Sequence, residues 1–399
     1  MSTIAIGVMS GTSCDGIDAV AIELSSLLRP HRPRVLGHVY RPYPAALREE
    51  LLRPERLTLA RVAELHFHLA ELYAKAVLGL RDVARARCCG LHGQTVWHAP
   101  RARVAATLQI GSSAVLAQRT SLPVVGDLRS ADVALGGQGA PIVPIAHWFF
   151  TAGERAPHVV VNLGGICNFT YVTRDVRRVV AYDVGPGMML SDAFARQASG
   201  GRLTFDRDGV LSRGGRPIPA IIDALVHHPF VRRAPPKSTG REDFGASFAA
   251  ELFRRHRRAP ARDVAYSLLA ATVRVLGLTL AADPAVRGRF SRVTLTGGGA
   301  GNPILVELAR REFAGVSVEV ARDGVLAPRH HEPAAMALIA ARTVAGLPSS
   351  LPSVTGAARP AILGHVHWPT PGDRSAALRR RPRVRPSTPL TRPARRLTL

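Results

Sequence analysis

The sequence predicts a duplicated α/β fold of two lobes. Each half of the chain opens in the same way, with an apolar strand, a glycine-rich loop and two further strands, which indicates an internal duplication. Three glycine-rich loops directly follow predicted strands, and such loops let backbone N–H groups approach phosphate closely. The length of 399 residues fits two to three domains of about 150 residues each.

The N-terminal half begins with the apolar run 3–8, which predicts a strand that ends at the first glycine-rich loop. Apolar residues at helical spacing predict a long helix over 59–80. We expect the other elements of this half to be strands at 18–24, 34–40, 88–91, 107–110 and 123–126 and a short helix at 114–118.

The second half repeats this order from the apolar run 158–163, which enters the loop LGGICN at 163–168. The third loop, GGGAGN at 297–302, opens a predicted helix, and a helix N-terminus with small residues can receive a nucleotide closely. None of the loops matches a P-loop or a Rossmann motif in its required context. We expect the other elements to be strands at 169–173, 179–183, 292–296 and 317–321 and helices at 263–282, 303–313 and 332–346, with one more from about 188.

The predicted organisation has four parts. We expect an N-terminal lobe over 1–135, a C-terminal lobe over 136–350, a return segment over 351–370 that packs on the N-terminal lobe, and a disordered tail over 371–399. The tail holds nine arginines and one acidic residue, so its net charge of +8 is a third of the net charge of +24 of the whole chain. Aromatic residues make up only 5% of the chain, so stacking platforms for nucleic acid are scarce. The sequence therefore predicts no specific nucleic-acid partner.

Other features of the composition favour a cytoplasmic protein. The four cysteines form no CxxC pair, which suits a reducing compartment. The N-terminus lacks a basic region before its apolar run, so we expect no secretory signal. No apolar stretch approaches the roughly 18 residues needed to cross a bilayer, so we expect no membrane partner.

The first loop, MSGTSCDGID at 9–18, combines small residues, hydroxyls and two aspartates. The hydroxyls and N–H groups suit phosphate, whereas Asp15 and Asp18 would need a divalent cation between themselves and the phosphates. Taken alone, the loop is equally compatible with an ordinary β-turn. The nucleotide-binding residues that we expect here are Gly11, Thr12, Ser13, Cys14, Asp15, Gly16, Ile17 and Asp18.

Eight motifs in order identify a resemblance to the anhydro-N-acetylmuramic acid kinase family. They are MSGTSCDGID, HGQTVWH (92–98), DLRSADVALGGQGAPIVP (127–144), VVNLGGICNFTYV (160–172), YDVGPGMMLSD (182–192), PPKSTGRE (235–242), LTGGGAGN (295–302) and PSVTGA (352–357). The resemblance covers residues 3 to about 365. It implies the actin/hexokinase/Hsp70-type (RNase H-like) fold, with ATP and Mg²⁺ in the cleft between the lobes, and a homodimer.

The resemblance also implies the reaction. ATP-dependent opening of the 1,6-anhydro ring of anhydro-N-acetylmuramic acid would give N-acetylmuramic acid 6-phosphate, in the recycling of peptidoglycan in a bacterial cytoplasm. The family's catalytic aspartate falls on Asp183, which ends a predicted strand and suits a general base for the attacking water. The expected ATP contacts of the later loops are Gly164, Gly165, Gly297, Gly298 and Gly299, and the metal would lie at Asp15 and Asp18.

The sugar carries a carboxylate, for which the planar fork of an arginine is the natural partner. We expect Arg129 in this role, with His92, Gln94, Asp132 and Gln138 as further polar groups around the sugar. The role of Lys237 stays open between an anion contact and an ordering of its loop.

Three positions depart from the family's pattern. Met188 stands where the family usually has Asn, Cys14 stands where it usually has Leu, and Ser112 and Ser113 stand where an acidic or amide residue and Pro are usual. We expect the loss of a polar group at Met188 to weaken substrate orientation or to force local repacking. The alternatives are a related sugar or amino-sugar kinase of the same superfamily with shifted specificity, and a non-kinase actin-like ATPase.

Overall fold

The computed structural model describes residues 2–153 and 157–370. The predicted tail at 371–399 lies outside the described residues. The strands are β1 (Thr3–Met9), β2 (Gly16–Leu24), β3 (Arg34–Pro42), β4 (Cys88–Leu91), β5 (Gln94–Ala99), β6 (Ala106–Ile110), β7 (Val124–Gly126), β8 (His158–Leu163), β9 (Ile166–Val172), β10 (Val180–Pro186), β11 (Arg292–Thr296), β12 (Ser317–Val320) and β13 (His365–His367).

The helices alternate with these strands along most of the chain. They are α1 (Ala45–Leu51), α2 (Leu59–Val77), α3 (Ser113–Thr120), α4 (Ser130–Ala134), α5 (Pro144–Thr151), α6 (Met189–Ala198), α7 (Pro219–Val226), α8 (Arg241–Phe244), α9 (Ala246–Arg255), α10 (Ala261–Ala282), α11 (Pro303–Glu312), α12 (His331–Val344) and α13 (Pro352–Thr355).

Two mixed sheets carry the same topology, one in each half of the chain. In the first sheet β1 pairs antiparallel with β2 and parallel with β4, β2 pairs antiparallel with β3, and β4 pairs parallel with β7. In the second sheet β8 pairs antiparallel with β9 and parallel with β11, β9 pairs antiparallel with β10, and β11 pairs parallel with β12. The predicted duplicated α/β fold is therefore confirmed. The first sheet has one additional strand, β13, on its β7 edge.

Helix α12 packs directly on the first sheet, although it follows the last strand of the second sheet. Two glycines make this close approach feasible. A Cβ on Gly7 of β1 would lie 1.7 Å from the carbonyl oxygen of Pro333, and one on Gly90 of β4 would lie 2.1 Å from that of Met336. The chain thus returns to the first sheet at α12, whereas the sequence analysis kept this helix in the C-terminal lobe and began the return at 351.

Helix α10 is the central helix of the second lobe. Its apolar side packs against α6, α7, α11 and β10. The helix is long and apolar enough to cross a membrane by length and composition alone, which the sequence analysis did not anticipate. Of its most apolar window, 67% is buried inside the protein, as in the core helix of a globular lobe.

Candidate active site

The first loop joins β1 to β2 and is held in place by the buried side chain of Gln94. The Gln94 side chain accepts a hydrogen bond from the Ser10 hydroxyl (2.6 Å) and donates one to the Gly11 carbonyl (3.3 Å). Cys14 closes the turn in the left-handed region, at a φ of 52°, and donates its N–H to Gly11 O. The predicted sugar residue Gln94 is 1% exposed, and its amide holds the first loop through Ser10 and Gly11.

The predicted residues of this loop do not all face the same way. Thr12, Ser13 and Asp15 are exposed, and Gly11 is partly exposed. By contrast, Gly16 and Ile17 belong to β2, and the Ile17 side chain is part of the hydrophobic core. Ile17 therefore supports the loop from the core side, as does the buried Cys14, whereas Gly11, Thr12, Ser13 and Asp15 are accessible.

The two predicted metal ligands differ sharply in their surroundings. Asp15 is exposed, and its carboxylate accepts a hydrogen bond from the Ser13 hydroxyl (2.6 Å). Asp18 lies 2.6 Å from His38 Nε2 and 3.5 Å from a guanidinium nitrogen of Arg329, which also stacks on the Tyr40 ring at 3.8 Å. Mg²⁺ usually needs one or two carboxylates together with substrate phosphates and water. Asp15 fits that requirement, whereas Asp18 is already paired with cationic and ring nitrogens.

No group of three or more His, Cys, Asp or Glu side chains suited to a metal ion is present among residues 2–153 and 157–370. A Mg²⁺ ion held here would therefore take most of its ligands from phosphate oxygens and water rather than from protein side chains.

The second loop, between β8 and β9, is clamped by the segment that follows β10. Met188 donates its N–H to Gly164 O (2.8 Å), and Gly187 donates to Gly165 O (3.0 Å). A Cβ on Gly187 would lie 2.2 Å from Gly164 O, so only glycine allows the two segments to approach this closely. The strand that carries Asp183 is therefore tied directly to the second loop.

The third loop begins at Gly297, whose φ is 82°, and reaches the same place. A Cβ on Gly299 would lie 2.6 Å from Met188 Sδ, whereas Gly298 has open space around it. Met188 is 8% exposed and belongs to the hydrophobic core of the second lobe. Its side chain thus packs against the third loop, so the departure from the family's pattern at this position bears on the packing of that loop.

Asp183 lies on β10 at a register shift against β9. Its carboxylate oxygen Oδ2 accepts the N–H of Thr239 (3.0 Å), and its own N–H donates to the carbonyl oxygen of Lys237 (3.3 Å). Burial raises the pKa of this carboxyl to about 7, against the opposing effects of the Thr239 N–H and of the charges of Arg129 and Lys237. A carboxyl with this pKa is well matched to proton transfer near neutral pH.

Arg129 and His92 form a fixed pair close to Asp183. Arg129 donates to His92 Nε2 from both Nε (3.1 Å) and Nη2 (2.8 Å), and to Gly139 O from Nη1 (2.8 Å). His92 Nδ1 lies 2.8 Å from Gly93 O, which assigns the ring proton to Nδ1. Burial and the Arg129 charge lower the pKa of His92 to about 3, so the ring is neutral. Arg129 is consequently a partly buried cation held by a neutral acceptor.

A pair of residues from the DLRSADVALGGQGAP motif builds the wall beside Arg129. Asp132 is fully buried and accepts the Gly139 N–H (2.7 Å) and the Thr355 hydroxyl (2.8 Å). Gln138 donates from its amide to the Pro236 carbonyl (3.2 Å). Asp132 is therefore occupied in holding the loop at 136–139, and Gln138 links that loop to the segment next to Asp183.

A family model for anhydro-N-acetylmuramic acid kinase matches residues 3–369. The chain belongs to this family. It is accordingly a kinase that acts on anhydro-N-acetylmuramic acid, a phosphotransferase of amino-sugar metabolism. The match runs over nearly all of the described residues, from β1 to the end of the segment after β13.

Similar solved structures include a ROK family glucokinase from Streptomyces griseus in complex with glucose and AMPPNP, at 15% identity and a TM-score of 0.39, covering 85% of this chain and 99% of that chain. Component A of the (R)-2-hydroxyglutaryl-CoA dehydratase from Acidaminococcus fermentans is 12% identical, with a TM-score of 0.41, and the match covers 86% of this chain and 99% of that chain. The ethanolamine utilization protein EutJ from Carboxydothermus hydrogenoformans is 13% identical, with a TM-score of 0.40, and the match covers 84% of this chain and 89% of that chain. Scores this low carry no residue-level correspondence.

The kinase site contains groups that the sequence analysis did not select. Glu332 lies in the first turn of α12. Burial lowers the pKa of Arg129 to about 10, and the negative charge of Glu332 acts against this decrease. The Thr239 N–H reaches Asp183 across 56 positions of sequence. Nothing in the local sequence marks a backbone N–H as a catalytic partner, whereas Glu332 could have been found as an acid that opens a buried helix.

Proposed function

We propose that Asp183 is the general base for ring opening and that ATP is the phosphoryl donor. Asp183 takes a proton from the water that attacks the anomeric carbon of anhydro-N-acetylmuramic acid. The bond from that carbon to O6 breaks, and O6 forms a bond to the γ-phosphorus as the bond to ADP breaks. The observation that carries this proposal is the half-buried Asp183, whose orientation is fixed by Thr239 and whose pKa lies near 7.

The nucleotide is proposed to bind across the three glycine-rich loops. Phosphoryl transfer depends mainly on positioning and on neutralising charge. Residues 11–15 supply exposed hydroxyls and N–H groups, Gly164 and Gly165 supply the opposite wall, and the open space at Gly298 suits the nucleoside. Gly297 shapes that third loop through its positive φ, and Gly299 through its close approach to Met188.

Mg²⁺ is proposed to be held by Asp15 with the ATP phosphates, and when bound it would neutralise charge on the phosphate oxygens. Asp18 stays a prediction as a second ligand, because its carboxylate is paired with His38 and Arg329. The two positions can be told apart by their separate substitution, as argued below.

Arg129 is proposed to bind the carboxylate of the sugar. A partly buried guanidinium that pairs directly with no carboxylate of the described residues is stabilised by an incoming anion. Within the described residues, the recorded hydrogen bonds of Arg129 go to His92 and Gly139. His92 and Gln138 stay proposed neighbours of the sugar, while Gln94 and Asp132 are proposed to act by holding the loops that bind it.

Consumption of ATP with anhydro-N-acetylmuramic acid tests the function, with N-acetylmuramic acid as the comparison sugar. We expect turnover with the anhydro sugar and formation of the 6-phosphate. Equal or preferred use of the ring-opened sugar would indicate the alternative of a related amino-sugar kinase. ATP hydrolysis that no sugar stimulates would indicate an actin-like ATPase. A homodimer and a cytoplasmic location are further parts of this proposal and rest on family membership alone.

A further inference from the structure

The loop at residues 235–239 holds Asp183 from two sides. The carbonyl oxygen of Lys237 accepts the Asp183 N–H (3.3 Å), and the N–H of Thr239 donates to Asp183 Oδ2 (3.0 Å). These are backbone groups, so the orientation of the carboxylate depends on where the loop itself lies. A shift of this loop necessarily moves the base relative to its target.

Lys237 fastens the loop to its own lobe. Its ammonium group donates to the carbonyl oxygens of Val231 (2.8 Å) and Phe230 (3.4 Å) and lies 4.9 Å from the centre of the Phe230 ring. The residue is only 4% exposed, and no carboxylate pairs with its ammonium within the described residues. Buried charge solvated only by carbonyls and rings is costly unless all these contacts stay in place. The side chain therefore fixes the loop at one position.

The neighbouring residue connects the loop to the other side of the cleft. The carbonyl oxygen of Pro236 accepts hydrogen bonds from Gln138 (3.2 Å) and from the guanidinium of Arg101. Arg101 lies in the turn of the β5–β6 hairpin, which packs on α2 beside the first sheet. One peptide unit separates this carbonyl from the Lys237 carbonyl that binds Asp183. Peptide units are rigid, so docking of the hairpin and placement of the base are mechanically linked.

We propose that the 235–239 loop couples docking of the β5–β6 hairpin to the orientation of Asp183, with Lys237 as its anchor and Arg101 as its contact on the hairpin. This proposal deepens the proposed function and rests on Asp183 as the base. Both residues are positioning residues, since they act through the loop. Misplacement of a reacting group by about 1 Å can cost roughly 10²-fold in rate, so a loose loop would lower kcat while leaving the nucleotide loops unaltered.

Arg101→Ala is the first test, with Arg103→Ala as the matched control from the same exposed turn. Within the described residues Arg103 makes no hydrogen bond or ion pair with the 235–239 loop, so its removal leaves the loop untouched. We expect Arg101→Ala to lower kcat about 10-fold with KM for the sugar little changed, and Arg103→Ala to match the unaltered enzyme. A rise in KM for the sugar at unchanged kcat would make Arg101 a substrate contact and would overturn the coupling.

Lys237→Met is the second test, because Met keeps much of the length and apolar packing but loses the ammonium donors. We expect kcat to fall. We also expect the acidic limb of the pH–rate profile to move to higher pH, since the Lys237 charge opposes protonation of Asp183. Lys237→Arg should restore part of kcat and most of the limb position. A merely structural role would lower kcat without moving the limb, and that result would contradict the anchor role.

The double variant Arg101→Ala with Lys237→Met separates coupling from two independent effects. Residues that act through one element are non-additive, so the double variant should lose little more than the worse single variant. A loss of kcat in the double variant equal to the product of the two single-variant losses would overturn the proposal. Absence of turnover with anhydro-N-acetylmuramic acid in the unaltered enzyme would instead refute the proposed function, whereas normal turnover in all the variants would refute the coupling alone.

Discussion

Asp183→Asn should make the enzyme far slower and, at the same time, more stable. Loss of a general base costs roughly 10²–10⁴-fold in rate, or about 3–5 kcal/mol of transition-state stabilisation. Asn keeps an oxygen that can accept the Thr239 N–H (3.0 Å to Oδ2 in the unaltered protein), so the geometry of the loop should persist. The rate loss is then attributable to the proton transfer itself.

The stability gain follows from the raised pKa of Asp183. Burial raises it from 3.8 to about 7, so the folded protein holds the proton more tightly than the unfolded chain. The contribution of Asp183 to the free energy of unfolding is therefore highest below pH 3.8 and declines as the pH rises toward 7. Asn lacks this titration, so its stability advantage should grow by up to about 2–3 kcal/mol between pH 5 and pH 8.

Urea denaturation at pH 5 and pH 8 measures this difference, and single-turnover kinetics between pH 5.5 and 8.5 measures the rate. In the unaltered enzyme we expect the rate at pH 6 to be about one tenth of its plateau, because a base with a pKa near 7 is then mostly protonated. A flat rate over this range, or an Asn variant that is less stable at both pH values, would refute the reasoning. Asp127→Asn, at an exposed turn position, serves as the matched control.

Three further substitutions and one deletion test other parts of the protein. Asp15→Asn should raise the Mg²⁺ concentration needed for half-maximal rate, whereas Asp18→Asn should mainly lower thermal stability, because it releases His38 and Arg329; titration with Mg²⁺ and a melting curve distinguish the two. Gly187→Ala should weaken ATP binding at least 10-fold, since its Cβ would lie 2.2 Å from Gly164 O, and a fluorescent nucleotide analogue measures this affinity. Removal of residues 371–399 should leave kcat and KM unchanged, and a fall in either would assign the tail a role in catalysis.

The sequence was sufficient to predict the sheets, because their signal is local. Apolar runs of strand length followed by glycine-rich loops occur at 3–8 and 158–163, and both become the central strands of their sheets. The β5 strand was not predicted, because Gln94–Ala99 pairs only with β6 and carries polar residues that give no alternation toward a core. Elements that form a small separate sheet lack the periodic pattern on which such predictions depend.

Residue roles were harder to predict than residue positions. Gln94 and Asp132 lie near the site as expected, yet their polar atoms are satisfied by Ser10 and Gly139. A sequence gives the chemical type of a side chain but not which of its hydrogen bonds are already made within the protein. The same limit applies to Met188, whose position under Gly299 depends on a loop more than a hundred residues further along the chain.

The contacts of Asp183 suggest how the proposed general base is held in place. Asp183 is fixed by backbone groups of a loop whose own position depends on a buried lysine and on donors from across the cleft. Ionisation of a carboxyl group whose pKa is raised by burial destabilises the folded protein. The surrounding contacts must therefore keep the Asp183 carboxylate in a position where it is less well solvated than in water. Lys237 therefore has a physical reason to be buried with no carboxylate partner among the described residues: its charge favours the ionised form of Asp183, and its carbonyl contacts keep the loop in place.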